Sequence, residues 1–206
     1  MLNRIKERIK KNPALKAFIH RLLIHPVRTR PRLWLRCCRF MYIKRGKGSV
    51  IYRNARKDIV PFNAFHLGDY SVIESYSTVN NMVGEIRIGS HSRIGLGNTI
   101  IGPVYIGNEV NLGQGVVLSG LNHNYENPHE TIISQGVTTS PINIDDDVWI
   151  GANAVILAGV HIGQHSIVAA GSIVTRNFPA YSVIAGTPAK ILKYYDEEKQ
   201  KWIKTQ

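Results

Sequence analysis

Between Leu67 and Val174 an aliphatic residue stands at every sixth position, in three blocks. Leu67, Ile73 and Val79 form the first block; Ile88, Ile94, Ile100, Ile106, Leu112 and Leu118 the second; Ile144, Ile150, Ile156, Ile162, Val168 and Val174 the third. An α-helix buries a face about every 3.6 residues and a strand every 2, so neither alone selects a period of six. A solenoid of short strands joined by tight corners does. Each hexad then supplies one flat side, its first and fifth residues turned inward; the fifth is small, as at Ser71, Ser77, Ser92, Asn98, Ala154, Ser166 and Ser172. The second residue is often glycine, as at Gly68, Gly89, Gly113 and Gly151, and is expected to supply corner conformations that a Cβ would resist. At three hexads per turn the fifteen make five coils. With paired backbones about 4.8 Å apart, that is a prism roughly 24 Å tall.

The flanks differ in chemistry. Residues 1–57 hold 18 Lys and Arg against one acid, Glu7, for +17, while residues 58–206 hold 8 against 13 acids, for −5. The net charge of +12 therefore belongs to an N-terminal arm. Within it Leu2, Ile5 and Ile9, then Leu15, Phe18 and Leu22, fall at helical spacing among basic residues, with a break expected near Pro13. Residues 25–45 read as a connector with a further short helix. Such an arm suits an anionic membrane surface or packing on the prism. No apolar run approaches the ~20 residues of a membrane span, and Lys, Arg and His interrupt every candidate signal-peptide core. Cys37 and Cys38 are adjacent with no other cysteine to pair with, which fits a reduced, cytoplasmic setting. The organisation expected is an arm over 1–57, a repeat domain over 58–193 and a short C-terminal helix in the tail 194–206.

The step from Leu118 to Ile144 is 26 residues, four hexads plus two, so the register slips and residues 119–143 must leave the prism. A loop this long in a compact repeat is usually functional or disordered. It is polar and contains His123, Tyr125 and His129.

The hexads, and above all PINIDDDVWIGANAVILAGVHIGQHSIVAAGSIVTRNFPAYSVIAGTPAKIL, resemble the hexapeptide-repeat acyltransferases, in particular the galactoside, maltose, nodulation-factor and polysaccharide O-acetyltransferases. The likeness covers about residues 67–193. It implies an all-β fold, a left-handed parallel β-helix, assembled as a homotrimer with acetyl-coenzyme A as co-substrate and no metal. It places the catalytic base at His123, in LSGLNH, where a histidine can take a hydroxyl proton near neutral pH. It assigns the oxyanion contact to the backbone N–H of Ala152. It also implies that Ala152 and Ala170 border the pantetheine, that Trp149 walls the cleft, and that Thr175, Arg176, Lys190 and Lys193 surround the nucleotide end. Lys in the last two places keeps the charge of the family's frequent Arg but loses its bidentate fork. Asn98, at an inward-type position, is a candidate acceptor contact or a core amide. His129 has no counterpart in the family and reads as a solvent-facing loop residue.

The function this implies is O-acetylation of a sugar in a surface polysaccharide or its lipid-linked precursor, in the cytoplasm or at the inner face of a membrane. Sugar-nucleotide and antibiotic acetyltransferases are the nearer alternatives. The first usually carries a nucleotide-binding βαβ with a Gly-rich turn, which residues 1–66 lack. His161 and His165 raise a metal-dependent carbonic anhydrase of the same prism, but they occupy unlike positions of neighbouring hexads. A nucleic-acid-binding scaffold is disfavoured because the arm's aliphatic residues keep helical spacing.

Overall fold

The computed structural model describes residues 12–205, and the chain divides into two compact units after Tyr42. In the first unit, α1 (Pro13–Leu23) starts at the proline expected to break it. Proline suits the first helical turn, where its missing N–H is not needed, and Asn12 Oδ1 accepts from Leu15 N at 3.1 Å to cap the helix. His20 and Arg21 sit in the last turn, where cations complement the helix dipole. A turn closed by the Ile24–Pro31 bridge leads to α2 (Leu33–Cys37) and a 3₁₀ turn (Arg39–Met41). Among the described residues of this unit Ile24 and Leu35 are the buried aliphatics, and Tyr42 donates its hydroxyl to Leu35 O. The positions Leu2, Ile5 and Ile9 lie outside the described residues.

The second unit is a parallel β-solenoid with three faces. Its coils are β1 (Ile43–Arg45), β2 (Val50–Ile51), β3 (Arg56–Asp58); β4 (Phe65–Leu67), β5 (Val72–Ile73), β6 (Thr78–Asn80); and β7 (Ile86–Ile88), β8 (Arg93–Ile94), β9 (Thr99–Ile101). They continue with β10 (Val104–Ile106), β11 (Asn111–Leu112), β12 (Val117–Ser119) and, after a hairpin of β13 (Leu121–His123) and β14 (Val137–Thr139), with β15 (Ile142–Ile144), β16 (Trp149–Ile150), β17 (Val155–Ile156). β18 (His161–Ile162), β19 (Ile167–Val168) and β20 (Ile173–Val174) complete the stack. The first face is β1-β4-β7-β10-β15-β18, the second begins β2-β5-β8-β11-β16-β19, and the third is β3-β6-β9-β12-β17-β20. All fifteen aliphatic first positions are 4% exposed or less. Each such side chain contributes about 1.5–3 kcal/mol relative to exposure.

The coils number six rather than five. The extra coil lies in residues assigned to the arm, because two of its three inward register positions are Arg45 and Lys57, opposite Leu67 and Val79. As the end coil it tolerates them: Lys57 Nζ donates to Tyr52 O at 2.9 Å, and the Arg45 guanidinium reaches Ser49. The C-terminal helix is also corrected. The second face gains β21 (Ser182–Gly186) in parallel, then β22 (Ala189–Asp196) and β23 (Lys201–Lys204) antiparallel. Asp196 accepts from Lys199 N at 2.9 Å and Gln200 has φ 50, so the charged stretch is a reversal. It pairs Tyr194 with Ile203 and Tyr195 with Trp202, residues that favour strands.

The corner glycines have a different duty from the one expected. Left-handed backbone occurs at the fourth hexad position, at Tyr70, His91, Asp147, Asn153 and His165 as well as at Gly97 and Gly171. The second-position glycines are needed for close stacking: a Cβ on Gly151 would lie 2.5 Å from Ala170 N. Buried fifth-position serines join coils, as Ser92 donates Oγ to Gly107 O and accepts from Val110 N.

Candidate active site

The register break is an antiparallel hairpin rooted at the third edge, where the third face turns into the first. Gly120 N donates to Ile101 O, and Ser140 N donates to Gly120 O, closing its base. His123 ends β13 opposite Val137. Its ring is exposed, and neither nitrogen has a hydrogen-bond partner among the described residues. Beyond it, Gln135 organises the loop, accepting from Asn127 N at 3.0 Å and donating to Asn127 O and Glu130 O. Asn124 donates Nδ2 to Gln135 O. Neither Gln135 nor Asn127 stands out in sequence; the only signal is a density of amide side chains in a long loop. His129 is exposed in the same segment, its backbone N–H donated to Asn127 Oδ1.

Ala152 and Ala170 sit one above the other at the second edge, between the second and third faces, and Gly171 N donates to Ala152 O at 2.9 Å. The first edge shows why their small size matters. There Asp146, Asn108 and Ser90, third residues of their hexads, each accept from the N–H of the counterpart one coil earlier: Asn108 N to Asp146 Oδ1 at 2.7 Å, Ser90 N to Asn108 Oδ1 at 2.8 Å, Asp69 N to Ser90 Oγ at 3.1 Å. Ala170 holds the same position above Ala152 but has no side-chain oxygen. Gly151 and Asn153 donate to Val168 O and Gln114 O, while the Ala152 N–H has no acceptor among the described residues. An uncapped N–H on a rigid edge is a donor available to a ligand oxyanion.

Trp149 projects from the second face with 53% exposure, so it is not part of the prism's packing. Lys190 and Lys193 are exposed on β22, the continuation of that face. Thr175 and Arg176 are exposed at the third edge, Arg176 Cζ 5.5 Å from the centre of the Phe178 ring. Trp149, Ala152, Ala170, Lys190 and Lys193 thus share the second face and its edge, and His123, Thr175 and Arg176 share the third edge. Asn98 joins neither group. It is fully buried, Oδ1 accepting from Val116 N at 2.6 Å, so the suggested acceptor contact is corrected to a rung inside the prism. His161 and His165 each face a separate carboxylate, Asp145 at 2.9 Å and Asp147 at 2.5 Å. No group of three His, Cys, Asp or Glu suited to a metal occurs among the described residues.

Family models match two of the three repeat blocks: "Bacterial transferase hexapeptide (six repeats)" over residues 141–176 and "Hexapeptide repeat of succinyl-transferase" over 85–119. A 2,3,4,5-tetrahydropyridine-2,6-dicarboxylate N-acetyltransferase of Staphylococcus aureus is 47% identical over 91 residues, 44% of this chain and 33% of that protein. The chain thus spans about a third of that relative's length. Among solved structures, the N-acyltransferase AntD of Bacillus cereus, in complex with dTDP and 3-hydroxybutyryl-CoA, superposes with a TM-score of 0.65 at 19% identity, over 80% of this chain and 89% of AntD. A maltose O-acetyltransferase of Clostridium difficile 630 gives 0.53 at 24%, over 73% and 68%. Both are likenesses of fold. A hexapeptide-repeat acetyltransferase of Vibrio cholerae, complexed with acetyl coenzyme A, gives 0.50 at 26%, over 77% and 75%.

Proposed function

We propose that the chain, whose repeats match hexapeptide transferase models over residues 85–119 and 141–176, moves an acetyl group from coenzyme A to a sugar hydroxyl, with His123 as general base. The observation that carries the reading is the combination of an unpartnered imidazole on the register-breaking hairpin with the uncapped N–H of Ala152. One nitrogen of His123 takes the acceptor proton as its oxygen attacks the thioester carbonyl. The Ala152 N–H holds the resulting oxyanion, and collapse expels the thiolate, which recovers the proton from His123. His123 and Ala152 stand on different edges, with the third face between them. The complete site is therefore assigned to the groove between neighbouring copies of a trimer, the base of one chain facing the donor edge of the next. Trp149 would wall the cleft, Ala170 admit the pantetheine, and Thr175, Arg176, Lys190 and Lys193 meet the nucleotide phosphates.

The acceptor proposed is a surface polysaccharide or its lipid-linked precursor, at the cytoplasmic face of a membrane. Supporting it are the maltose O-acetyltransferase among the proteins of like fold and the surface of the first unit. There Phe18, Leu22, Phe40 and Met41 are 51–82% exposed, and Arg21, Arg28 and Arg36 are exposed as well, a composition suited to an anionic bilayer. Among the described residues no helix is long and apolar enough to cross a membrane. An amine acceptor is the second reading, favoured by the N-acetyltransferase relative. Thiol release from acetyl-coenzyme A across sugars, oligosaccharides and aminosugars distinguishes the two, the first reading requiring release that depends on a hydroxyl acceptor.

A further inference from the structure

The first face carries one outward side chain per coil, with Arg87, Tyr105, Asn143 and His161 in register. Across β10 and β15 lies an open groove of about 420 Å³, to which Asp145, Asp146 and Gln164 also contribute. Its charges are largely engaged with one another. Arg87 is 3.1 Å from Glu85, whose other oxygen accepts from Tyr105 Oη at 2.6 Å. The tyrosine hydrogen bond holds the Glu85 carboxyl below its ordinary range, and the carboxylate in turn pushes the Tyr105 hydroxyl up. Asp145 faces His161, and Asp146 accepts from Asn108. One guanidinium against three carboxylates leaves the groove weakly negative, a poor seat for a phosphate or a uronic acid.

The side-chain amides of Asn143 and Gln164 are uncommitted among the described residues. Each offers a donor and an acceptor in one plane, the complement of neighbouring hydroxyls, beside the ring of Tyr105. The column repeats every coil, about 4.8 Å, close to the length of one pyranose in a glycan chain. The His123 hairpin leaves the chain between β12 and β15, and just past its base Ile142 N donates to Pro103 O, where the β10–β15 pair begins. We propose that this groove binds a neutral pyranose of the acceptor glycan other than the one acetylated, so that the substrate is an oligosaccharide chain. The proposal rests on the reading of the protein as a sugar acetyltransferase.

The test is a titration of isotope-labelled full-length protein with neutral trisaccharides of glucose, galactose and N-acetylglucosamine, and separately with a glucuronic acid trisaccharide and inorganic phosphate. At least one neutral trisaccharide should shift the amides of Tyr105, Asn143 and Gln164 saturably. The Asn143→Ala/Gln164→Ala variant should bind it about tenfold more weakly, as loss of two hydrogen bonds implies. In turnover that variant should raise KM for the trisaccharide and leave kcat and KM for a monosaccharide unchanged. No neutral trisaccharide shifting these amides, equal binding by the variant, or tighter binding of the acidic probe would overturn it. The titration needs no acyl donor, so groove-dependent binding without acyl transfer would refute the catalytic reading alone. Transfer to small sugars without groove binding would refute the groove alone.

Discussion

Replacing Ala170 by asparagine should move stability and catalysis in opposite directions. At the first edge, Asn108 caps Ser90 N at 2.8 Å and Asp146 caps Asn108 N at 2.7 Å, each from one coil further on. Ala170 stands in the same relation to Ala152, with the two corners held by the 2.9 Å bond from Gly171 N to Ala152 O. Asparagine there brings Oδ1 to the Ala152 N–H, the group proposed to hold the oxyanion. A new backbone hydrogen bond contributes about 0.5–1.5 kcal/mol, and Tm should rise by about 2–4 °C per kcal/mol for a chain of this size. Losing an oxyanion donor should lower kcat by about 10²–10³. Ala170→Leu, similar in bulk but without an acceptor, separates obstruction from capping: it should raise KM for acetyl-coenzyme A without raising Tm. The assay is thiol release under saturating donor, with amide hydrogen exchange at Ala152 reporting whether the cap has formed. A protected Ala152 amide with unchanged kcat would refute the oxyanion assignment.

Three further outcomes follow from other parts of the molecule. Gln135→Ala, which removes the clamp on Asn127 and Glu130, should lower kcat by up to about 10²-fold through misplacement of the hairpin, with Tm unchanged; limited proteolysis should then cut near residue 130. Glu85 has a depressed folded-state pKa, so its stabilisation is present above the ordinary glutamate value of about 4.3 and lost as pH falls through the folded value; acid titration of Tm should show this limb in the wild type and not in Glu85→Gln. The arm should bind anionic vesicles in a salt-sensitive manner, with about 1 kcal/mol from each basic residue near the surface, and a chain starting at Ile43 should not; cosedimentation at low and high salt checks both.

The prism was legible because its inner surface must be aliphatic at a fixed period, and a period survives any choice of outward residues. The same criterion passed over the first coil, whose inward register positions include Arg45 and Lys57, side chains that reach the backbone carbonyls of Ser49 and Tyr52. The tail misled because EEKQK has helical composition, whereas its conformation is decided by an Asp196 turn and by Tyr and Trp on the strands it joins. In the candidate site, the register break marked the loop, and the family resemblance singled out His123 over His129 within it. The uncapped N–H of Ala152 was not readable, because it follows from what stands one coil away, 18 residues along the chain at Ala170. Asn98 failed as a surface contact for a related reason: the fifth position faces inward, and its Oδ1 accepts from the next coil.

The most direct measurement is acceptor-dependent thiol release from acetyl-coenzyme A by the wild-type protein, His123→Ala and His129→Ala, across neutral sugars and oligosaccharides. Release from the wild-type protein should require a hydroxyl acceptor. It should fall about 10²–10⁴-fold in His123→Ala with the fold intact, and change little in His129→Ala. Equal, small losses in the two variants, or no acceptor-dependent release with any sugar, would contradict it.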